Sequence, residues 1–294
     1  MRFARYAWGV LVYNLAVVLW GAFVRATGSG AGCGNHWPLC NGGVTPHAPS
    51  LQTVIEFTHR VTSGLDLVLV GVLVYGAFRA FPRGHLARRG AVLSGVFLVT
   101  EALLGASLVL LHHVAANASV SRVYSLSLHL TNTLTLLACL TLTAWWAGGR
   151  STARLHGKAL GTALASLLTV VAVGITGAIA ALGDTLFPAR SLAAGLAQDF
   201  DPAASVILRL RGLHPALAAL VGVSVLLYAI SQAAANSRLR KLAGSVALLV
   251  VAQMVAGGLN LVLLAPVWMQ LVHLLLADLL WIALVLLCAS PAGA

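Results

Sequence analysis

Eight long apolar segments dominate the hydropathy pattern of this chain, separated by short stretches rich in glycine, proline and arginine. Each segment is long enough to cross about 30 Å of hydrocarbon as an α-helix. A segment in lipid must satisfy its backbone hydrogen bonds internally, which favours helices over strands. The predicted helices cover residues 7–26, 52–80, 90–112, 123–147, 159–182, 204–233, 240–263 and 267–289. The pattern therefore predicts an all-α polytopic membrane protein embedded in a lipid bilayer.

The composition supports a membrane location. Of the 294 residues, 60% are hydrophobic and only 9% are charged, whereas a soluble domain carries roughly 25% charged residues. The formal net charge of +11 could suggest a nucleic-acid partner. However, the basic residues are scattered between apolar segments and form no basic stripe, so we expect no nucleic-acid binding.

Basic residues in the loops predict the orientation, because cytoplasmic loops carry an excess of lysine and arginine. Twelve of the 18 would lie on one side of the membrane, namely Arg2, Arg5, Arg79, Arg83, Arg88, Arg89, Arg150, Arg154, Lys158, Arg238, Arg240 and Lys241. We therefore expect both termini in the cytoplasm, an uncleaved first helix and a prokaryotic plasma membrane. The loop with Cys33 and Cys40 would be external, where a disulfide can persist.

Four landmarks recur in the second half of the chain and suggest an internal duplication. They are Gly21-Ala22-Phe23-Val24 with Gly177-Ala178-Ile179-Ala180, His59 with His214, Glu101 and Gly105 with Gln253 and Gly257, and His129 with His273. A duplication predicts two pseudo-symmetric four-helix bundles, over residues 1–150 and 151–294.

Four of the ten histidines lie at one depth, inside the even-numbered predicted helices: His59, His129, His214 and His273. At 1.5 Å per residue they would lie about 9–15 Å below the outer surface. Ionisable groups inside a membrane are costly and tend to be functional. Two histidines on facing helices of a bundle can bind the two axial positions of one haem iron. We therefore predict one haem site in each half, with simple packing histidines as the alternative.

The two halves differ near these histidines. Glu56 lies three residues before His59, whereas Arg211 lies three residues before His214. A carboxylate beside an iron could move protons or activate water; the alternative is an i,i+4 ion pair with Arg60. Arginines near the outer ends of helices suit haem propionates, and the candidates are Arg25, Arg60, Arg122, Arg209 and Arg211. Asp66 and Glu101 are expected either in a proton path or as buried hydrogen-bonding groups.

These residues together resemble the haem A synthase family over essentially the whole chain. The resemblance lies in the segment from Gly21 to Gly30, continuing through Cys33 to Trp37-Pro38-Leu39-Cys40, in the segment Ile55-Glu56-Phe57-Thr58-His59-Arg60, and in the three later histidines. The chain differs from some members of that family, because its 183–203 connection lacks a second cysteine pair.

The resemblance implies an enzyme that oxidises the C8 methyl group of haem O to a formyl group by successive hydroxylations, giving haem A for aa3-type oxidases. It implies that His59 and His129 flank the substrate haem, that Glu56 is catalytic, and that His214 and His273 ligate a haem b that transfers electrons. It also implies a Cys33–Cys40 loop pair and partners that supply haem O and exchange electrons, namely a haem O synthase and an electron-transfer protein.

Two other functions fit parts of the pattern. A di-haem b-type, quinol-linked electron carrier would also need four histidines, but the difference between Glu56 and Arg211 argues against two equivalent haems. A transporter would also use internal repeats and buried polar groups. Broken helices near the midplane would favour a transporter, and the predicted helices are mostly uninterrupted there.

Overall fold

The computed structural model describes residues 2–152 and 155–290 of the chain. In these residues it has nine α-helices: α1 (Arg2–Ala26), α2 (Leu51–Ala80), α3 (Leu86–Leu110), α4 (Val120–Ala147), α5 (Gly157–Leu186), α6 (Leu192–Asp199), α7 (Val206–Ala235), α8 (Arg240–Val262) and α9 (Val267–Ala289). A short 3-10 turn, Ser237–Leu239, leads into α8. All except α6 are long and apolar enough to cross a membrane. The prediction of an all-α, multi-pass membrane protein with eight spanning helices is therefore confirmed.

The helices differ from the predicted segments mainly at their ends. Helix α1 begins at Arg2 and α3 at Leu86, before the apolar runs begin, because the helical backbone continues through charged residues outside the hydrocarbon. The short helix α6 was not predicted, since it lies in a polar connection without a long apolar pattern. Arg154, one of the basic residues used for orientation, lies outside the described residues.

Serine caps set the starts of three helices that carry the predicted histidines. The side chains of Ser50, Ser119 and Ser205 each accept a hydrogen bond from the backbone N–H three residues later. Such a cap satisfies a backbone donor that the first helical turn leaves without a partner. The caps thereby fix the distance along the helix from each helix start to its histidine.

The eight long helices pack as two groups of four. In the first group, α2 and α4 each contact both α1 and α3, so α2 and α4 lie on a diagonal. In the second group, α7 and α9 each contact both α5 and α8, so they lie on the corresponding diagonal. Helices α1 and α4 contact α5 and α9 between the groups. The order of neighbours is the same in both groups; their pseudo-symmetry and the division at residue 150 stay predictions.

A small buried cluster around Leu182 and Ile207 lies near the outer ends of the helices, but the larger part of the close-packed core lies at the ends of the bundles away from the Cys33–Cys40 loop. In the first group its most buried side chains include Leu73, Leu136, Leu137 and Leu140, and in the second group Val225, Val246, Leu284 and Leu287. Large apolar side chains on the outer faces are exposed instead, including Leu168, Leu220 and Leu248. Such outer faces are suited to contact with lipid, whereas the bundle ends away from the Cys33–Cys40 loop are packed as closely as the interior of a soluble protein.

A close contact between α3 and α4 gives a stability prediction. A Cβ at Gly90 would lie 2.4 Å from Oγ1 of Thr143 and 2.9 Å from the ring of Trp146. We expect Gly90→Ala to destabilise the protein by about 1–3 kcal/mol, as overpacking of a core commonly does. Gly71→Ala on α2 is the matched control, because nothing lies within 4 Å of its Cβ position. Thermal unfolding in detergent, followed by circular dichroism, should give a lower Tm for Gly90→Ala alone. Equal Tm values would contradict the close packing of α3 on α4.

Candidate functional site

The structure pairs the four predicted histidines across the diagonals of the two groups. Each lies six to nine residues after the first residue of its helix: His59 on α2, His129 on α4, His214 on α7 and His273 on α9. His59 and His129 are close enough for their charges to interact, and so are His214 and His273. Each pair therefore faces the interior of one four-helix group from two opposite helices.

The interior around each histidine is open. On the four helices, residues 57–65, 124–132, 212–224 and 270–277 include no fully buried residue, although the same helices are buried on both sides of these stretches. The side chain of His129 is 26% exposed despite its place inside the bundle. Protein interiors are normally close-packed. The inward faces near the histidines therefore line internal space.

Each histidine ring faces a glycine on a neighbouring helix. A Cβ on the glycine would lie 3.0 Å from the His59 ring at Gly21, 2.9 Å from the His214 ring at Gly177, 3.0 Å from the His273 ring at Gly257, and 3.8 Å from the His129 ring at Gly105. At the first three positions any larger residue would crowd the ring. Glycine thus leaves room for the imidazole ring against the neighbouring helix.

Polar neighbours of Nδ1 indicate which ring nitrogen is free in two of the histidines. Oγ1 of Thr176 lies 3.0 Å from Nδ1 of His214 and can donate its proton to the carbonyl oxygen of Val173. In that arrangement it accepts from Nδ1–H, which leaves the lone pair on Nε2 of His214. Nδ1 of His129 lies 3.5 Å from Oε1 of Glu101 and makes no hydrogen bond at this distance. A proton on Nδ1 of His129 would face the carboxylate and would likewise leave Nε2 free.

The other two rings have fewer partners. Like Nδ1 of His129, Nδ1 of His59 and Nδ1 of His273 are buried without a hydrogen-bond partner among the described residues, and no carboxylate lies near them in an ion-pair contact. Nε2 of His273 lies 3.3 Å from Nε2 of Gln253. Buried polar atoms are normally satisfied. The unpaired ring nitrogens are consistent with histidines arranged to bind a ligand that the protein chain does not supply.

These features fit a haem with two axial histidines in each half. The open interior, the glycines and the free imidazole nitrogens supply space and ligands on opposite sides of a flat group. Among residues 2–152 and 155–290, no three histidine, cysteine or acidic side chains come together as a site for a bare metal ion. A porphyrin provides the equatorial nitrogens itself, so two histidines suffice.

Glu56 lies at the outer end of the first group and is bonded on both of its oxygens. Oε1 accepts from Nη2 of Arg60 at 2.5 Å, and Oε2 accepts from the backbone N–H of Cys33 at 2.8 Å. Arg60 also donates to the carbonyl oxygens of His36 and Leu39. The i,i+4 ion pair considered from the sequence is therefore present. The carboxylate is buried one helical turn before His59 and is attached to the cysteine loop.

The cysteine loop covers the outer end of the first group. A disulfide joins Cys33 to Cys40, and both residues are fully buried. The loop is also held on α2, because Oγ1 of Thr53 donates to the carbonyl oxygen of Gly32 at 2.8 Å. The predicted cysteine pair is thus brought together directly above Glu56.

Arg211 holds the short helix α6 at the outer end of the second group. Its Nε donates to Oδ1 of Asp199 at 2.7 Å, and its Nη2 donates to Oε1 of Gln198 at 3.0 Å. Both acceptors lie on α6, which contacts α7. The negative charge of Glu56 therefore holds the cysteine loop on the first group, and the positive charge of Arg211 holds α6 on the second group.

Arg25 connects the two groups. Its Nη1 donates to the carbonyl oxygen of Ala181 at 2.6 Å and to Oγ1 of Thr185 at 2.9 Å, and its Nη2 donates to Oε1 of Gln270 at 2.8 Å. All three acceptors are neutral. Gln270 lies three residues before His273, so Arg25 reaches from the first group to the edge of the second site.

The remaining two predicted arginines bond to nearby backbone. Arg122 donates to the carbonyl oxygens of Ala115 and Asn117, and Arg209 donates to those of Pro202 and Ala204. All five arginines thus have protein acceptors. Their binding of propionates stays a prediction.

The whole chain also matches a known family. Residues 4–285 match the family model COX15-CtaA, described as cytochrome oxidase assembly protein. The chain belongs to the COX15-CtaA family. This membership confirms the family to which the sequence was related above.

Individual relatives of this COX15-CtaA chain carry two different names. A Thermus thermophilus protein named protoheme IX farnesyltransferase is 50% identical over 293 residues, covering 98% of this chain and 48% of that protein. A heme A synthase of Bacillus mycoides is 40% identical over 126 residues, covering 43% of this chain and 40% of that protein. A heme A synthase of Bacillus cereus matches with the same identity and coverage. The chain thus spans about half the length of the Thermus relatives and less of the Bacillus ones.

Several residues around the histidines of this COX15-CtaA chain were not predicted from its sequence. Thr176 and the pairing of Glu101 with His129 were not predicted, because they depend on the rotation of helices about their axes. Asp278 was also missed; it is 2% exposed on α9, and its Oδ2 has no partner among the described residues. Its position five residues after His273 was the only available signal. Asp66 was noted and is bonded to Nδ2 of Asn14 at 2.5 Å.

Proposed function

We propose that this chain is a haem A synthase that oxidises the C8 methyl group of haem O to a formyl group. The observation that carries the proposal is the pair of histidines across an open interior in each half, with the buried carboxylate of Glu56 one turn before His59 and an arginine, Arg211, at the corresponding position before His214. The family and the name of the Bacillus relatives support the same assignment. The substrate haem would bind between His59 and His129.

The chemistry needs a proton acceptor near the substrate. Written with water as the oxygen source, conversion of a methyl group and one water to a formyl group releases four protons and four electrons. Successive hydroxylations give first the alcohol and then the hydrate, which loses water. Glu56 is the acidic side chain one turn from His59, and its bonds to Arg60 and Cys33 favour the ionised carboxylate. An ionised carboxylate can accept a proton from water or substrate.

The second half would hold a resident cofactor. His214 and His273 would ligate a haem b, and Gly177 and Gly257 would leave room for it. Such a haem supplies one-electron transfer. We infer that electrons leave the substrate site through it to an electron-transfer partner in or at the membrane.

Farnesyl transfer is the second candidate, because the Thermus relatives are named for it. About half of each of those proteins lies outside the match, and we assign the farnesyl transfer to that half. A prenyl diphosphate is usually bound through Mg²⁺ held by carboxylates. This chain has seven acidic residues, and no two lie three or four residues apart on a helix. Each Thermus relative thus joins a region similar to this chain to a second region that we assign to farnesyl transfer. This arrangement supports a haem O synthase as the partner that supplies the substrate.

We further propose that the Cys33–Cys40 loop faces the outside of a prokaryotic plasma membrane and that both termini are cytoplasmic. The distribution of loop arginines and lysines supports this orientation. An oxidising exterior would preserve the disulfide. The two proposed haem sites would then lie nearer the outer surface.

The proposed function is tested by identifying the haem made by the chain and by Glu56→Gln. The proteins are expressed in a host that makes haem O but lacks haem A synthase, and the haems are extracted and separated. We expect haem A with wild type, and haem O or the hydroxylated intermediate with Glu56→Gln, because the amide cannot accept the proton. Asp66→Asn is the matched control: it also removes a buried carboxyl from α2, and asparagine can still pair with Asn14. It should still give haem A.

Other products would overturn the proposal in distinct ways. Haem B alone with wild type would favour the di-haem electron carrier, and no haem at all would favour a transporter. A second host that makes only haem B tests farnesyl transfer, since haem O appearing there would assign that activity to this chain. Haem A from Glu56→Gln at the wild-type level would remove Glu56 from the chemistry and leave the synthase assignment standing.

A further inference from the structure

Glu101 on α3 is surrounded by hydrogen-bond donors from α4. Its Oε2 accepts from Nδ2 of Asn132 at 2.6 Å, and its Oε1 accepts from the hydroxyl of Thr133. Oε1 also lies 3.5 Å from Nδ1 of His129. The carboxyl group therefore lies beside one of the two proposed ligands of the substrate iron.

The orientation of Asn132 is set by a further bond. The carbonyl oxygen of Phe97 accepts from Nδ2 of Asn132 at 2.8 Å, and the hydroxyl of Thr100 lies 2.7 Å from Oδ1, so the amide nitrogen points to Glu101. Two hydrogen-bond donors thus converge on one carboxyl group that is 17% exposed, and Nδ1 of His129 lies just beyond hydrogen-bond distance. An ionised carboxylate only accepts hydrogen bonds, and this arrangement matches it on each side.

The second half lacks this arrangement at the corresponding positions. Gln253 stands where the first half has Glu101, and with the offset that relates His129 to His273, Leu276 and Ala277 stand where it has Asn132 and Thr133. The amide of Gln253 approaches Nε2 of His273 and not Nδ1, and this Nδ1 has no partner among the described residues. Neither Nδ1 has a hydrogen-bond partner among the described residues, but only the first half places a carboxylate within 4 Å of this atom.

We propose that Glu101 is a positioning residue that accepts the Nδ1–H hydrogen bond of His129 and makes the haem of the first half easier to oxidise than that of the second. This proposal rests on the proposed function. A carboxylate on the second nitrogen of a ligating histidine fixes its tautomer and raises its basicity. A more basic axial ligand favours the oxidised iron, because hydrogen bonding around the ligands tunes haem potentials.

This difference in potential gives the transfer of electrons a direction. An electron removed at the first site would move downhill to the haem of the second half, whose histidines have neutral hydrogen-bond partners among the described residues, Thr176 and Gln253. Arg25 joins the two groups between the sites through Gln270. The substrate site would thus act as the electron donor and the haem b as the acceptor.

The test measures the potentials of the bound haems by spectroelectrochemistry of the purified protein in detergent. In Glu101→Gln, we expect the ratio of oxidised to reduced first-half haem at a fixed potential to fall at least tenfold, which is about 59 mV for one electron. The second-half haem serves as the internal control and should not change. His214→Ala, which removes a ligand of the second half, assigns each potential to its haem.

Thr133→Val separates a direct role of Glu101 from a general loosening of the pocket. It removes a donor that competes for Oε1, so the carboxylate should accept more strongly from His129, and the oxidised fraction should rise. A purely structural role would move both variants in the same direction and would weaken the low-spin spectrum of a haem with two histidines. If Glu101→Gln does not retain haem, the oxidised fraction of the first-half haem in Thr133→Val is the test of the positioning role.

The outcomes separate this proposal from the proposed function. An unchanged first-half potential in Glu101→Gln, or a fall in the oxidised fraction in Thr133→Val, would overturn the positioning role and leave the synthase assignment intact. Wild-type protein that binds no haem would overturn both.

Discussion

Alanine at Gly177 is expected to weaken the proposed ligation of a haem iron by His214 about tenfold or more while leaving the fold intact. The added Cβ would lie 2.9 Å from Cε1 and 3.3 Å from Nε2 of the His214 ring. Either the ring moves away or the methyl group stays in front of Nε2, the nitrogen that Thr176 leaves free. Overpacking of this kind costs about 1–3 kcal/mol, and 1.4 kcal/mol corresponds to about a tenfold loss of affinity.

The measurement compares haem content and the low-spin absorption spectrum of purified variants. Gly161→Ala is the matched control, since it lies on the same helix and has nothing within 4 Å of its Cβ position. We expect Gly177→Ala to lose much of the second-half haem with little change in Tm, because the His214 ring borders internal space and can turn aside, whereas the side chains around Gly90 are close-packed. Full haem content in Gly177→Ala would refute the idea that this glycine makes room at the iron site.

Removing Arg211 is expected to detach the outer cover of the second group. The side chains of Arg211 and Asp199 are 7% and 10% exposed and are bonded at 2.7 Å. Arg211→Ala leaves Asp199 with a buried, unpaired charge, and breaking a buried ion pair costs about 3–5 kcal/mol. Because α6 is short and is packed on α7, this cost should release the connection between α5 and α7.

Hydrogen exchange and limited proteolysis of residues 187–205 should report the release, together with a lower Tm. Arg209→Ala is the matched control on the same helix, since Arg209 is exposed and bonds only to carbonyl oxygens. Its effect should stay within about 0.5 kcal/mol. Arg211→Ala with Asp199→Ala should recover part of the lost stability, because the unpaired charge at Asp199 is removed, although Asp184 also loses its contact with Arg211. Equal protection in Arg211→Ala and wild type would show that α6 is held by other contacts.

The sequence alone predicted the eight spanning helices and the common depth of the four histidines. Both follow from properties that are local along the chain, namely the length of an apolar run and the rise per residue of a helix. The histidines are informative because an ionisable side chain in lipid is costly without a function. Periodicity could not reveal α6, whose residues have no long apolar run and are held in place by Arg211.

Only the tertiary structure decided which polar groups meet. Arg25 and Gln270 are separated by 245 residues, and Glu101 is separated from Thr133 by 32. Such contacts depend on how each helix is rotated about its axis and how closely neighbouring helices approach, and hydropathy does not specify either quantity. For the same reason the sequence left two alternatives for Glu56, a carboxylate that acts beside an iron or an ion pair with Arg60. The structure shows its carboxylate bonded to Arg60 and Cys33, one turn from His59, because the cysteine loop folds back onto the start of α2.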